Sequence, residues 1–270
     1  REVDAVAHVV RCFEDSDVTH VEGRIEPIAD IETVETELML ADLDSLERRV
    51  DALEKKARGA DKESKEALDL VNRALALIRD GKPARLVERK PEEERAFRML
   101  GLLTAKPVLY VCNVDESAAA TGNGQSRQVE ERARQEGAAS VVISAKIESE
   151  IAVLPPEERA DYLAAMGLTE PGLDRLIRAG YGLLDLVTFF TAGPKESRAW
   201  TVTRGARGPQ AAGVIHTDFE RGFIRAETIG YDDYVKFGGE AGARDAGRLR
   251  LEGKDYVVAD GDVMHFRFAT

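Results

Sequence analysis

A heptad seam stands between two apolar, strand-like stretches, and this arrangement constrains the fold more than any other feature. Met39, Leu43, Leu46, Val50, Leu53 and Ala57 recur at alternating four- and three-residue steps, the spacing that keeps one apolar stripe of a helix against a partner. Gly59-Ala60-Asp61 breaks the pattern, with Asp61 placed as an N-cap, and Ala67, Val71, Ala74 and Ile78 resume it. Two such helices joined by a short break predict an antiparallel hairpin that packs on itself. Gly81 ends the second helix. A third is expected from Pro91, with Glu92, Glu93 and Glu94 suited to its first turn.

The flanks follow a different period. Residues 3–13 (VDAVAHVVRCF) are mostly apolar without alternation, which predicts a strand covered on both faces. A polar loop over residues 14–30 carries His20 and Gly23. Beyond the hairpin, residues 108–112 (VLYVC) and 140–144 (SVVIS) predict buried strands, separated by a helix over 127–135 that Gly137 closes. Helices are expected at 148–153, 156–166 and 171–184. Strands alternating with helices predict a parallel sheet, interrupted by the hairpin as an insertion. From Val187 the pattern changes to a small α+β domain. Strands are expected at 189–191 and 198–203, short helices at 210–219 and 240–251, and a hairpin over 255–268 with Asp260-Gly261 as its turn.

Composition narrows the function classes. The chain is 43% hydrophobic and 33% charged, ordinary for a globular protein, and no apolar run approaches the roughly 18 residues that span a bilayer. From Val187 onward 12 basic residues meet 12 acidic ones, so the net charge of -12 lies upstream, where 26 basic residues face 38 acidic. Any nucleic-acid contact is therefore expected to be a local patch, with neither DNA nor membrane as a partner. Arg198, Arg204, Arg207, Arg221 and Arg225, interleaved with Trp200 and Phe223, are the candidates for an RNA-facing patch. The alternative for that mix is core aromatics flanked by solvated charges. Cys12 and Cys112 lie in apolar runs and are expected to be buried thiols in a reducing, cytoplasmic setting. His8 is expected to be a core histidine. His216 and His265 stand far apart without a second ligand at metal spacing, so no metal site is expected. The chain begins at Arg1 and enters a strand almost at once, which predicts an N-terminal part upstream.

The chemistry concentrates at two strand ends. Asn113-Val114-Asp115-Glu116 follows VLYVC, and Ser144-Ala145-Lys146 ends the next strand. The carboxyl ends of strands are where doubly wound sheets take ligands. In P-loop GTPases these two places carry N-K-x-D and S-A-K, which recognise the base. The Asp of the first motif takes two hydrogen bonds from the guanine ring N–H and amino group. Here its place is held by Glu116, one methylene longer, and the Lys place by Val114, which is expected to pack on a base face. The bland alternative is that Asn113 and Glu116 only cap the strand and start a loop.

Six longer stretches carry a more specific resemblance: HVVRCFEDSDVTHVEG (8–23), IADIETVETELMLADLDSLERR (28–49), KPVLYVCNVDE (106–116), IRAGYGLLDLVTFFTAGPKESRAWTV (177–202), PQAAGVIHTDFERGFIRAETI (209–229) and EGKDYVVADGDVMHFRF (252–268). The whole chain resembles the YchF/Obg-like ATPases, Obg-related P-loop proteins with a C-terminal TGS domain. The resemblance implies an α/β fold: a partial Ras-like G domain with a parallel sheet, an inserted helical coiled-coil hairpin and a C-terminal ubiquitin-like β-grasp domain. The expected bounds are 1–33 and 105–186 for the two G-domain segments, 34–104 for the insertion and 187–270 for the TGS domain. It also implies a cytoplasmic, ribosome-associated ATPase that takes ATP in preference to GTP, with Asn113, Val114, Glu116, Ser144, Ala145 and Lys146 holding the base. The ribosome or its RNA is the implied partner.

The departure from the family concerns the phosphates. Neither G-x-x-x-x-G-K-[ST] nor D-x-x-G occurs in the 270 residues, although these supply the phosphate cradle and the Mg²⁺ ligands. The resemblance places them before Arg1, so this chain by itself is expected to be inactive. The resemblance also marks His20, in the V-T-H-V segment, as the group that positions the attacking water in place of the usual Gln. A solvent-exposed loop histidine is the alternative. A second overall reading is a non-catalytic RNA- or ribosome-binding adaptor, built from the coiled coil and the TGS domain.

Overall fold

Three parallel strands in the order β1-β2-β3 organise the first half of the chain: β1 (Val6–Arg11), β2 (Val108–Asn113) and β3 (Ala139–Ile143). The computed structural model describes residues 2–14, 25–58 and 62–269, which divide into two units, Arg1–Leu183 and Leu184–Thr270. In the first unit the crossover from β1 to β2 contains α1 (Pro27–Ala57), α2 (Lys62–Arg79) and α3 (Glu94–Met99). The crossover from β2 to β3 is α4 (Gly124–Glu136), and α5 (Ala145–Val153), α6 (Pro156–Ala165) and α7 (Gly172–Leu183) follow.

The helical hairpin forms where the heptads place it. Leu46, Val71, Ala74 and Ile78 are buried in one core, with Met39, Leu43, Val50 and Leu53 packed against it, and Arg79 reaches back to Glu47 at 2.8 Å. The boundary expected between residues 33 and 34 falls inside α1. Its first turns belong to the sheet, because Ile28 and Ile31 pack with Val10, Tyr110 and Val129. The break at 59–61, including the expected cap Asp61, lies outside the described residues. The third helix starts later than Pro91: Pro91–Glu93 is a 3-10 turn. Glu93 pairs with Arg73 at 2.5 Å and Glu94 with Arg89 at 2.7 Å, so these acids tie neighbouring segments together. Asp42, fully buried on α1, accepts from the Leu103 and Thr104 N–H groups at 2.8 and 2.7 Å and from the Thr104 hydroxyl at 2.9 Å. That carboxylate fastens the chain's return from the hairpin to the middle of α1.

The sheet departs from expectation at β1. Strand β2 is buried on both faces, but Val9 of β1 is 64% exposed. Val10 and Cys12 face the core beneath α1, while α7 packs over β2 and β3. Among the described residues no helix covers the Val9 face, so only one side of β1 is buried. Cys12 and Cys112 are free, buried thiols, as expected.

The second unit is a mixed five-stranded sheet, in the order β5-β4-β8-β6-β7. The strands are β4 (Leu186–Ala192), β5 (Ser197–Thr203), β6 (Phe223–Gly230), β7 (Arg250–Glu252) and β8 (Asp262–Phe268). Helices α8 (Gly208–Ile215) and α9 (Thr217–Arg221) lie in the loop from β5 to β6, and α10 (Tyr231–Lys236) and α11 (Glu240–Asp245) follow β6. Ala211 and Ala212 of α8 pack against Phe189, Phe223 and Phe266 in one core. The hairpin expected over 255–268 does not form. Strand β8 pairs parallel with β4 and antiparallel with β6, so both its edges are filled, and residues 255–259 make only an isolated bridge between Arg207 and Val257. Asp260-Gly261 still turns the chain: the Asp260 carboxylate accepts from Thr188 N–H at 2.7 Å, and Gly261 adopts φ 84°. The helix expected over 240–251 ends at Asp245, and β7 takes its last residues. No described helix is long and apolar enough to cross a membrane.

Candidate functional site

Register brings the two motifs together. Asn113 of β2 stands opposite Ile143 of β3, so the loops that follow leave the same end of the sheet side by side. The Asn113 side-chain oxygen accepts from Ala145 N–H at 2.9 Å. That satisfies one of the first N–H groups of α5, which have no partner within the helix. The Asn113 carbonyl accepts from Cys12 N–H at 2.8 Å, and Val114 N–H donates to the Ile143 carbonyl at 2.9 Å. Asn113 therefore fixes all three strand ends. Val114, expected on a base face, is instead 2% exposed and belongs to the sheet core. Its branched, apolar side chain gains more from that core than from the open loop, and it sets the loop's position.

The next two acids take different roles. Asp115 caps a short 3-10 turn over Glu116–Ala118, accepting from Ala118 N–H at 3.1 Å and from the Ser117 hydroxyl. The Ser117 hydrogen bond holds its carboxyl below the usual carboxylate range. Glu116 turns outward and forms an ion pair with Lys146 across the two loops; the side chains are 34% and 65% exposed. Lys146 likewise holds the Glu116 carboxyl below the usual range, so at neutral pH Glu116 is an acceptor only. Ser144, the N-cap of α5, makes no side-chain cap. It is 2% exposed, and its hydroxyl has no hydrogen-bond partner among the described residues. Ala145 is exposed. The structure thus brings Asn113, Glu116, Ser144, Ala145 and Lys146 to one place. His20 lies outside the described residues.

Two supporting residues were missed in the sequence. Asn123 donates from its side-chain amide to the Cys12 carbonyl at 2.6 Å and exchanges hydrogen bonds with Ser126, each at 2.9 Å. It is a reciprocal cap that ties α4 to the end of β1. The Asn-x-x-Ser spacing carried that signal, but a helix start placed at residue 127 hid it. Glu148 accepts from Gly172 and Leu173 N–H at 2.7 and 3.1 Å and anchors the start of α7. Only the fold shows that contact.

The remaining candidates have the following neighbours in the fold. His8 is half-buried, its ring 5.8 Å from Tyr110, and burial lowers its pKa. Phe223 is core. Arg198 stacks over Trp200 at 4.2 Å, while Arg204 and Arg207 pair with Asp185 and Asp255 at 2.9 and 2.7 Å. Among the described residues no group of three His, Cys, Asp or Glu side chains is placed to hold a metal ion.

Known proteins share this chain's sequence and fold. The family YchF-GTPase_C, described as "Protein of unknown function (DUF933)", matches residues 186–269. A Haemophilus influenzae protein named ribosome-binding ATPase YchF is 54% identical over 268 residues, 99% of this chain and 74% of its own length. The Bacillus subtilis protein of the same name is 50% identical over 270 residues with the same coverage. The Schizosaccharomyces pombe YchF GTPase structure matches with a TM-score of 0.81 at 32% identity, covering 98% of this chain and 72% of that one.

Proposed function

The chain belongs to the YchF family, and from that premise we propose that it binds ATP in preference to GTP and acts as an ATPase at the ribosome. The observation that supports the reading is the 2.9 Å bond from Ala145 N–H to the Asn113 side chain, which holds the loops 113–116 and 144–146 side by side, as one base-binding site would require. Glutamate in the last motif position supports the choice of base. A carboxylate one methylene beyond the aspartate position does not reproduce the paired acceptance that guanine requires.

Family membership supports the finer assignments: Ras-like G-domain segments at 1–33 and 105–186, a coiled-coil insertion at 34–104 and a β-grasp TGS domain at 187–270. The mixed sheet crossed by α8 suits the last of these. The hairpin and the TGS domain are the proposed ribosome-facing parts, and the cytoplasm is the proposed location. ATP would arrive with Mg²⁺, but the described residues hold no metal cluster, so no Mg²⁺ ligand is assigned. His20 is proposed to position the attacking water.

Calorimetry tests the base assignment. The wild type is expected to bind ATP more tightly than GTP, and Glu116→Asp to lose most of that preference. An undiminished ATP preference in Glu116→Asp would remove Glu116 from the account. Val114 is left unchanged, because a lysine there would be buried in the core.

A further inference from the structure

We propose that the cavity between α9 and the end of β8, in the second unit, binds an acidic peptide: a segment of a partner protein in which a carboxylate stands next to a bulky apolar side chain. This goes beyond the base-binding reading and stands without it.

Ile215, His216, Phe219, Arg221 and Phe268 line an open cavity of about 750 Å³, a volume within the range of small-ligand sites. Phe219 and Phe268 stack with their ring centroids 3.9 Å apart and 24° between planes. The His216 ring lies 5.8 Å from Phe219. Both phenylalanines are half-buried, so part of this aromatic shelf is left for another molecule to cover. The shelf is formed in advance, because Phe219 also packs against the core of the unit. The main chain fixes the opposite wall. Ala269 N–H donates to the Gly222 carbonyl at 2.8 Å, and a Cβ on Gly222 would collide with the Ala269 carbonyl. A site that needs no ordering on binding loses less affinity to entropy.

Charge decides the occupant. Arg221 is the one cation among the described residues that line the cavity. It is exposed, and no described residue pairs with it, whereas Arg204, Arg207 and Arg267 are tied to acids. A free guanidinium offers a carboxylate two parallel hydrogen bonds. His216 adds a donor: its Nδ1 accepts from Asp218 N–H at 3.2 Å, which leaves the hydrogen of the neutral ring on Nε2. An RNA strand fits less well. Its phosphates repeat and call for several cations, but Asp218 shares the lining with the single arginine, and from Val187 onward 12 basic residues meet 12 acidic ones. One anionic group beside an apolar body is the complement of this cavity.

Chemical-shift titration of the 270-residue chain tests this, read at the Phe219, Arg221, Gly222 and Ala269 amides. The probe is an acetylated pentapeptide, Ser-Asp-Phe-Asp-Phe, with a free carboxyl end. Its control carries Asn for Asp and an amidated end. The acidic peptide is expected to give saturable shifts at these amides and to bind about tenfold or more tighter than the control, the scale of one charge-assisted hydrogen bond. Arg221→Gln should reduce the acidic peptide to the affinity of the control and leave the control unchanged. Phe268→Ala should weaken both. Arg221 is on the surface, and an unchanged amide spectrum elsewhere would show that Arg221→Gln folds. Equal binding of the two peptides, no saturable shift with the acidic one, or full affinity in Arg221→Gln would overturn the inference. So would tighter binding of hexauridylate at the same amides, which would make the cavity an RNA site. Shifts at these amides on concentrating the chain alone would give it to a second copy and overturn it as well.

Discussion

Asp42 shows how much one side chain can hold. Its buried carboxylate accepts three hydrogen bonds from Leu103 and Thr104, so Asp42→Ala leaves buried donors without partners. A loss of about 3 kcal/mol is expected, measurable by urea unfolding; a loss below about 1 kcal/mol would show that the return segment is held by something else. Asn123→Ala removes the reciprocal cap and the link to Cys12 and should cost about 1–2 kcal/mol by the same measurement. For His20 the expectation is kinetic. If it positions the water, then in a protein that also carries the G-x-x-x-x-G-K-[ST] segment His20→Ala should slow ATP turnover by about a hundredfold and leave ATP affinity nearly unchanged. Equal losses in affinity and rate would assign it a structural part. Local residue roles of this kind were partly legible in the sequence. Gly137 was expected to close α4 and does so at φ 67°, because a glycine after a helical period has few other uses. The Glu116–Lys146 pair was not legible, since thirty positions separate its members and only the parallel register of β2 and β3 brings them together.

At the scale of elements, period was the reliable guide and coverage was not. The heptads of α1 and α2 and the apolar runs of β2 and β3 announced themselves as elements, although β3, expected to be buried, is only partly buried along its length. Strand β1 looked the same, yet Val9 is exposed, since an apolar run does not state what packs on each side of it. The hairpin over 255–268 failed for a related reason. A turn signal shows where the chain reverses, not which strands fill its edges, and β8 is taken by β4 and β6. The loop before β8 also holds a pH-sensitive contact. Tyr256 donates to the buried Asp262 carboxylate at 2.7 Å, and burial together with that bond pushes its pKa up to about 12. A raised folded-state value means that the stabilisation is complete below the unfolded tyrosine value and is lost as pH rises through about 12. Thermal melts of the second unit should therefore fall steeply over that alkaline window. Tyr256→Phe should start lower and flatten the fall, and a slope identical to wild type would contradict the assignment.

At the scale of the whole molecule, the second unit has its own sheet and its own core of Val187, Phe189, Phe223, Met264 and Phe266. Residues 184–270 expressed alone should give the same amide spectrum as within the chain; a collapsed spectrum would mean that this core is insufficient. The family was legible in the sequence because long stretches match it, whereas the working geometry of the base site needed the fold. The central claim is that the ends of β2 and β3 form one site that takes the base of ATP. Titrating the chain with ATP and mapping amide shifts over both units tests it most directly. The account predicts that the first and largest changes fall on Asn113, Glu116, Ala145 and Lys146, with residues 184–270 silent. Changes confined to residues 184–270, with the two loops unmoved, would contradict it.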